Sequence, residues 1–265
     1  MSRIVKALFD NIWQQYVSVT PSAKKIHHLL GHGKDIINDH VAYRTFNIEK
    51  VKLARLAKHF ISLGYTECGQ YNFAKKKLTA KHFEHSDSNM PKVFISELRV
   101  EQFPSDIQSI IHALVAQLPK NVSEREDFLY ASRLWQISLS DYQKLLMASE
   151  YAAWLAAWGY RANHFTVSIN HLDNFDSIID VNNTLKNAGY TLNDAGGEIK
   201  GNEEVKLEQS STLADKALVQ FSDVSTEIPS CFYEFAKRYP LANGKLYTGF
   251  VTASADKIFE STNVG

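Results

Sequence analysis

Two stretches of this 265-residue chain follow one plan, and that repetition restricts the fold more than any single motif does. "DHVAYRTF" from Asp39 and "NHFTVSIN" from Asn163 each set a histidine at the start of a strand-like run. Each run leads into an amphipathic helix that stops at a Gly-Tyr pair. Tyr65 follows His40 by 25 residues, and Tyr190 follows His164 by 26. Strand-like segments close both units, "FISEL" with Glu97 and "CFYEF" with Glu234. The pattern predicts an α+β fold in which two βαβββ modules pair curved sheets into one open barrel. The first and last strands of each module then line a shared cavity, and His40, Glu97, His164 and Glu234 are expected to point into it.

The rest of the chain is arranged around those modules as a single domain. Residues 1–37 read as N-terminal helices. Ile4, Leu8, Ile12 and Tyr16 recur at helical spacing, and "TPSAKKIHHLLGHG" offers Thr20 as a cap, Pro21 at the first helical position and Gly31 as a stop. Residues 38–103 form the first module, 104–160 connecting helices, 161–240 the second module and 241–265 a C-terminal segment. "SLSDYQKLLMASEYAAWLAAWGY" reads as one long helix capped by Ser140 or Asp141. "EIKGNEEVKLEQS" and "KALVQFSD" read as two weaker strands of the second module.

Composition excludes several classes. Lys plus Arg and Asp plus Glu both number 29, so no charge asymmetry calls for nucleic acid or an acidic membrane surface. Two distant cysteines, Cys68 and Cys231, make no disulfide framework and suit a reducing compartment. Lys6 and Asp10 interrupt the N-terminal apolar stretch, unlike a signal peptide, and "YAAWLAAWGY" is too short to span a bilayer. The expectation is a soluble cytoplasmic protein without nucleic-acid or membrane partners. "HHLLGH" (His27, His28, His32) and "KHFEH" (His82, His85) read as solvated histidines without the cysteine or carboxylate partners of a zinc site. "DAGGEIKG" reads as a turn, and no HExxH, nucleophile elbow or dinucleotide fingerprint is present.

Two imidazoles and one carboxylate on one face, with positions left open, suit an Fe(II) that must bind O2. Four filled protein positions, with Glu97 as the fourth, suit a Lewis-acid metal such as Zn or Ni. Arg44 lies four residues from His40 on the same strand face and can grip a carboxylate through two parallel hydrogen bonds. "NDHVAYRTF", "GYRANHFTVSIN", "PKVFISEL" and "PSCFYEFAKR" together resemble the 2-oxoadipate dioxygenase/decarboxylase family, also called hydroxyglutarate synthase. That family resembles the vicinal-oxygen-chelate superfamily. The resemblance implies that His40, His164 and Glu234 ligate the metal and that Arg44 holds the substrate carboxylate. It implies Fe(II), or another divalent metal, and O2 acting on a 2-oxo dicarboxylic acid, which becomes a shorter 2-hydroxy acid with loss of CO2. Two rival readings are a glyoxalase-type isomerase or lyase with Glu97 as a fourth ligand, and a non-catalytic small-molecule binding protein.

Overall fold

Every residue of the strand opening at Asn38, from Asp39 to Phe46, is buried, so both of its faces are covered. This strand, β1 (Asn38–Phe46), lies mid-sheet. In the computed structural model, which describes residues 3–262, it follows α1 (Arg3–Val17) and α2 (Pro21–Gly31). The first module continues with α3 (Leu53–Ile61), β2 (Tyr65–Phe73), β3 (Leu78–His85) and β4 (Lys92–Leu98). Three helices connect the modules: α4 (Ser105–Ala116), α5 (Leu139–Ala148) and α6 (Glu150–Trp158). The second module comprises β5 (Ala162–Ser168), α7 (Ile178–Asn187), β6 (Lys200–Asn202), β7 (Leu207–Ser211), β8 (Lys216–Gln220), β9 (Ser225–Pro229) and β10 (Phe232–Arg238). The helix α8 (Thr252–Ile258) and a 3-10 turn at Phe259–Thr262 follow; residues 263–265 of the expected C-terminal segment lie outside the described residues.

Eight strands form one curled half-barrel in the order β2-β3-β4-β1-β5-β10-β7-β6, bearing out the expected α+β architecture. The two halves mirror each other. β1 pairs parallel with β4, β5 pairs parallel with β10, and the halves meet where β1 runs antiparallel to β5. Parallel partners need a long crossover, and the intervening helix and strands of each module supply it.

Local chemistry accounts for the elements. α3 turns Leu53, Leu56, Ala57 and Phe60 to the core, and α7 turns Ile178, Val181 and Leu185. Gly64 and Gly189, in the two Gly-Tyr pairs, adopt φ of +94° and +86°, the left-handed conformation that ends a helix cleanly. In α6 every residue from Tyr151 to Trp158 is buried, as expected of a helix that is apolar all round.

Three expectations are corrected. The long connecting helix breaks at Ser149, whose extended backbone and side-chain acceptor cap α6, while Ser138 rather than Ser140 or Asp141 caps α5. "EIKGNEEVKLEQS" carries two strands of the main sheet, β6 and β7, whereas "KALVQ" pairs with β9 in a separate two-stranded sheet. In α1, Val5 rather than Ile4 joins Ile12 and Tyr16 in the core, leaving Ile4 69% exposed.

Gly159 joins α6 to β5 at φ +69°, and a Cβ there would sit 2.3 Å from Arg133 Cα and 2.4 Å from the Ser132 carbonyl oxygen. Backbone on that side cannot yield as a side-chain tip can, because Ser132 and Tyr160 exchange backbone hydrogen bonds of 2.8 and 3.0 Å. Gly159→Ala is expected to destabilise the fold by at least about 2 kcal/mol, combining positive-φ strain with overlap. Equilibrium urea unfolding measures this, and a midpoint equal to wild type contradicts the close approach.

Candidate metal centre

The register of β1 on β5 sets the geometry of the centre. His40 lies opposite Thr166, and Ala42 lies opposite His164. Exchanging the two halves therefore exchanges the two histidines. The third group arrives on β10, where Glu234 stands beside Thr166 and Phe232 beside His164. His40, His164 and Glu234 are all buried, and one ligating atom from each lies within 4.8 Å of the others.

Two β-bulges orient the imidazoles. Neighbours on a regular strand face opposite sides. The register slips by one residue at Asp39 on β1 and by one at Asn163 on β5, immediately before each histidine. Such a bulge re-aims side chains locally. Asp39 Oδ1 then lies 2.8 Å from His40 Nδ1, and Asn163 Oδ1 lies 3.1 Å from His164 Nδ1. Each oxygen accepts the Nδ1 proton, leaving Nε2 as the bare nitrogen, the arrangement that holds metal-ligating histidines in one tautomer. Gln209 serves Glu234 in the same way, donating from Nε2 to Oε1 at 2.6 Å. Asp39 is itself held by Arg238, with contacts of 2.6 and 2.9 Å. Burial opposes ionisation of Asp39, but Arg238 and the His40 hydrogen bond outweigh it and hold the carboxyl well below its usual range.

The residues fit a divalent cation. Glu234 Oε2 has no hydrogen-bond donor among the described residues, yet it is fully buried and lies 3.0 Å from His164 Nε2. Glu234 Oε1 lies 3.7 Å from His40 Nε2. Two lone-pair atoms about 3 Å apart match neighbouring ligands that each stand ~2.1 Å from one ion. Burial lowers the pKa of His164 against the pull of Glu234, favouring the neutral ring that ligates. Burial also works against the charge on Glu234, and its carboxyl stays below its usual range only while positive charge at the imidazole side, with the Gln209 hydrogen bond, offsets that cost. A buried anion without a cation is costly, so an ion here would meet an existing electrostatic need. His40 Nε2 meanwhile lies 3.0 Å from the Thr166 hydroxyl.

Arg44 shares the cavity of His40, His164 and Glu234. Its guanidinium is buried and stacked within 4.9 Å of Tyr151 and 5.0 Å of Trp154. It donates to Glu150 at 2.9 Å and to Thr262 at 3.0 Å, so its ion-pair partner is Glu150 rather than a carboxylate of the centre.

Glu97 does not join the cavity, and its expected inward position is corrected. In the β1–β4 register Ser96 lies beside Arg44 and Glu97 beside Thr45, so alternation turns Glu97 to the other face. There it accepts from the Leu53 backbone N–H at 2.8 Å and from Thr79 Oγ1 at 3.3 Å, closing the start of α3. Phe94, opposite Ala42, occupies the position that Glu234 holds in the second half.

The C-terminal segment, to which the sequence assigned no role, covers the cavity with Phe250, Ala255, Ile258 and Phe259. Its short apolar residues between polar ones give no periodic signal. His82, expected at the surface, is buried between Tyr71 OH at 2.8 Å and Glu84 at 2.9 Å. Cys68 and Glu84 lie close enough to make a second metal-like group with it, but Cys68 is exposed and Glu84 only half-buried, unlike the fully buried group of the centre.

The chain is similar to known proteins in sequence and in fold. Residues 4–246 match the profile of a family described as 2-oxoadipate dioxygenase/decarboxylase. A chloroplastic/amyloplastic protein of that name from Oryza sativa is 34% identical, over 97% of this chain and 78% of the relative. A chloroplastic counterpart from Arabidopsis thaliana is 33% identical, over 93% of this chain and 74% of its own length. The crystal structure of hydroxyglutarate synthase from Oryza sativa in complex with 2-oxoadipate superposes with a TM-score of 0.93 at 33% identity, covering 99% of this chain and 94% of that one. A Shewanella frigidimarina protein, provisionally described as a hydrolase, superposes with a TM-score of 0.92 at 61% identity, covering 94% of this chain and 98% of that one.

Replacing His164 with Ala is expected to abolish metal retention with little change in secondary structure. Metal analysis after exhaustive dialysis, alongside circular dichroism, checks this. A folded variant that keeps metal as tightly as wild type contradicts the assignment.

Proposed function

From the chain's membership of the 2-oxoadipate dioxygenase/decarboxylase family, we propose that it is an Fe(II)-dependent dioxygenase acting on 2-oxoadipate or a close 2-oxo diacid. The observation that carries this reading is the placement of three converging ligand atoms and a buried guanidinium around one cavity. The proposed net reaction takes 2-oxoadipate and O2 to 2-hydroxyglutarate and CO2, so both oxygen atoms enter the products and no second 2-oxo acid is consumed.

In this reading His40, His164 and Glu234 hold the iron, which supplies O2 activation and a chelation point for the 2-oxo acid. The rest is done by the protein. Asp39, Asn163 and Gln209 keep the ligands aimed. Arg44 holds the distal carboxylate through charge-assisted hydrogen bonds, and Phe94, Phe250 and Ile258 enclose the carbon chain and exclude water. The cavity is small, about 30 Å³, and Phe250, Ile258 and Phe259 of the C-terminal segment form part of its wall.

Two features weigh against the rivals. The isomerase reading needs Glu97 as a fourth ligand, and Glu97 is engaged at the start of α3. A binding protein without metal leaves the buried Glu234 Oε2 without a partner. A cytoplasmic setting belongs to the proposal, in keeping with the free thiols Cys68 and Cys231. Among the described residues no helix is long and apolar enough to cross a membrane.

An oxygen electrode tests the function. Fe(II)-loaded protein given 2-oxoadipate is expected to consume O2 and release one CO2 for each O2, and CO2 release without oxygen uptake contradicts the reading. Arg44→Lys is expected to lower kcat/KM by more than about tenfold, because lysine lacks the planar fork. Its metal content should match wild type, and a loss of activity explained wholly by missing metal defeats the carboxylate role.

A further inference from the structure

Arg44 is clamped from one side only. Nη1 donates to Glu150 Oε1 and Nη2 to Thr262 Oγ1, and the Thr262 hydroxyl also bonds Glu150 Oε1. The end-on edge of the guanidinium is therefore closed by a small ring of hydrogen bonds. Nε, in the same buried group, has no hydrogen-bond partner among the described residues. Tyr151, Trp154 and Phe259 hold the guanidinium by its neighbouring ring contacts.

The carboxylate partner comes from outside the cavity. Arg44 lines the cavity of the candidate metal centre, whereas Glu150 lines a neighbouring one with Lys75, Lys76 and Tyr151; Phe259 borders both. Glu150 opens α6 and Thr262 ends the C-terminal turn, so two elements distant in sequence meet on one side chain of β1.

We infer that Glu150 and Thr262 are positioning residues for substrate specificity: they occupy the end-on edge of Arg44 and so direct its Nε edge toward the distal carboxylate of a diacid. This rests on the proposed reading of Arg44 as the carboxylate anchor. Its chemistry is general. A guanidinium binds a carboxylate in parallel pairs of N–H bonds, and with Nη1 and Nη2 each donating to the clamp, Nε and the second hydrogen of Nη2 are the pair left for a ligand. A small angular error in such a group is costly to a bound ligand. Glu150 does not itself line the cavity of the centre, and it reaches that cavity through Arg44, which it bonds directly and through Thr262.

The test compares a diacid with a monoacid on the full-length protein. Calorimetry gives Kd for adipate and hexanoate, and kinetics with the iron-loaded protein give KM and kcat for 2-oxoadipate and 2-oxohexanoate. Wild type is expected to prefer the diacid. Glu150→Ala should erase at least tenfold of that preference, through KM and Kd rather than kcat, with hexanoate and 2-oxohexanoate unchanged. Glu150→Gln, which keeps the acceptor oxygen, should retain most of it. If Glu150→Ala does not fold, Thr262→Val supplies the same readout with a smaller expected loss. General loosening of the structure would weaken both acids alike and overturn the inference. A preference kept or sharpened in Glu150→Ala also overturns it, since Glu150 would then be blocking Arg44, while leaving the anchor role of Arg44 intact. A wild type without diacid preference overturns the anchor reading itself, and this inference with it.

Discussion

The antiparallel register between β1 and β5 is the constraint on which the rest depends. Because His40 meets Thr166 and Ala42 meets His164, the two halves present their histidines across one seam. A slip of one residue would turn either imidazole to the opposite face. The two bulges do not disturb this register between residues 40 and 42; they flank it, and each frees the residue before a histidine to bond that histidine's Nδ1. The same local distortion, used twice, thus fixes both the position and the tautomer of the rings.

Polar bonding then spreads outward from the seam in a continuous chain. Asp39 bonds His40 on one side and Arg238 on the other, and Arg238 Nη1 reaches the carbonyl oxygens of Tyr247 at 3.0 Å and Gly249 at 2.7 Å. Phe250, next in sequence, packs edge-on against the His40 ring at 4.8 Å. The C-terminal cover is therefore tied at its start through Arg238 and at its end through Thr262 to Arg44. Buried ion pairs of this kind add little net stability, but removing one partner leaves a buried charge and costs about 3–5 kcal/mol.

How much was legible in the sequence follows from the range of the interactions. The Gly-Tyr stops and the two histidine strands are local patterns, and they marked the repeat. Membership of the family was legible from four short motifs. Glu97 was misplaced because "FISEL" and "CFYEF" look alike, while the face a residue takes is set by its register against a parallel partner some fifty residues earlier. The pairing Arg44 to Ser96 and Thr45 to Glu97 carries that information, and no local pattern does. Asp39 and Asn163 stand beside the histidines in sequence, but regular alternation places strand neighbours on opposite faces, and the two bulges that change this are not a local pattern. The break at Ser149 was readable in principle, since serine ahead of glutamate is a good start to a helix. Phe250 reaches the cavity, and Glu150 and Thr262 reach Arg44, only through tertiary contacts, and the burial of His82 depends on Tyr71 and Phe250 closing over it.

The central claim is that the seam between the two halves holds one metal ion on His40, His164 and Glu234. Anomalous diffraction from crystals of the iron-loaded protein, recorded on either side of the iron absorption edge, tests it most directly. The account predicts one strong peak among His40 Nε2, His164 Nε2 and a Glu234 carboxylate oxygen, with Arg44 and Glu97 outside ligand distance. A cavity without a peak, or iron bound instead at Cys68, His82 and Glu84, would contradict it.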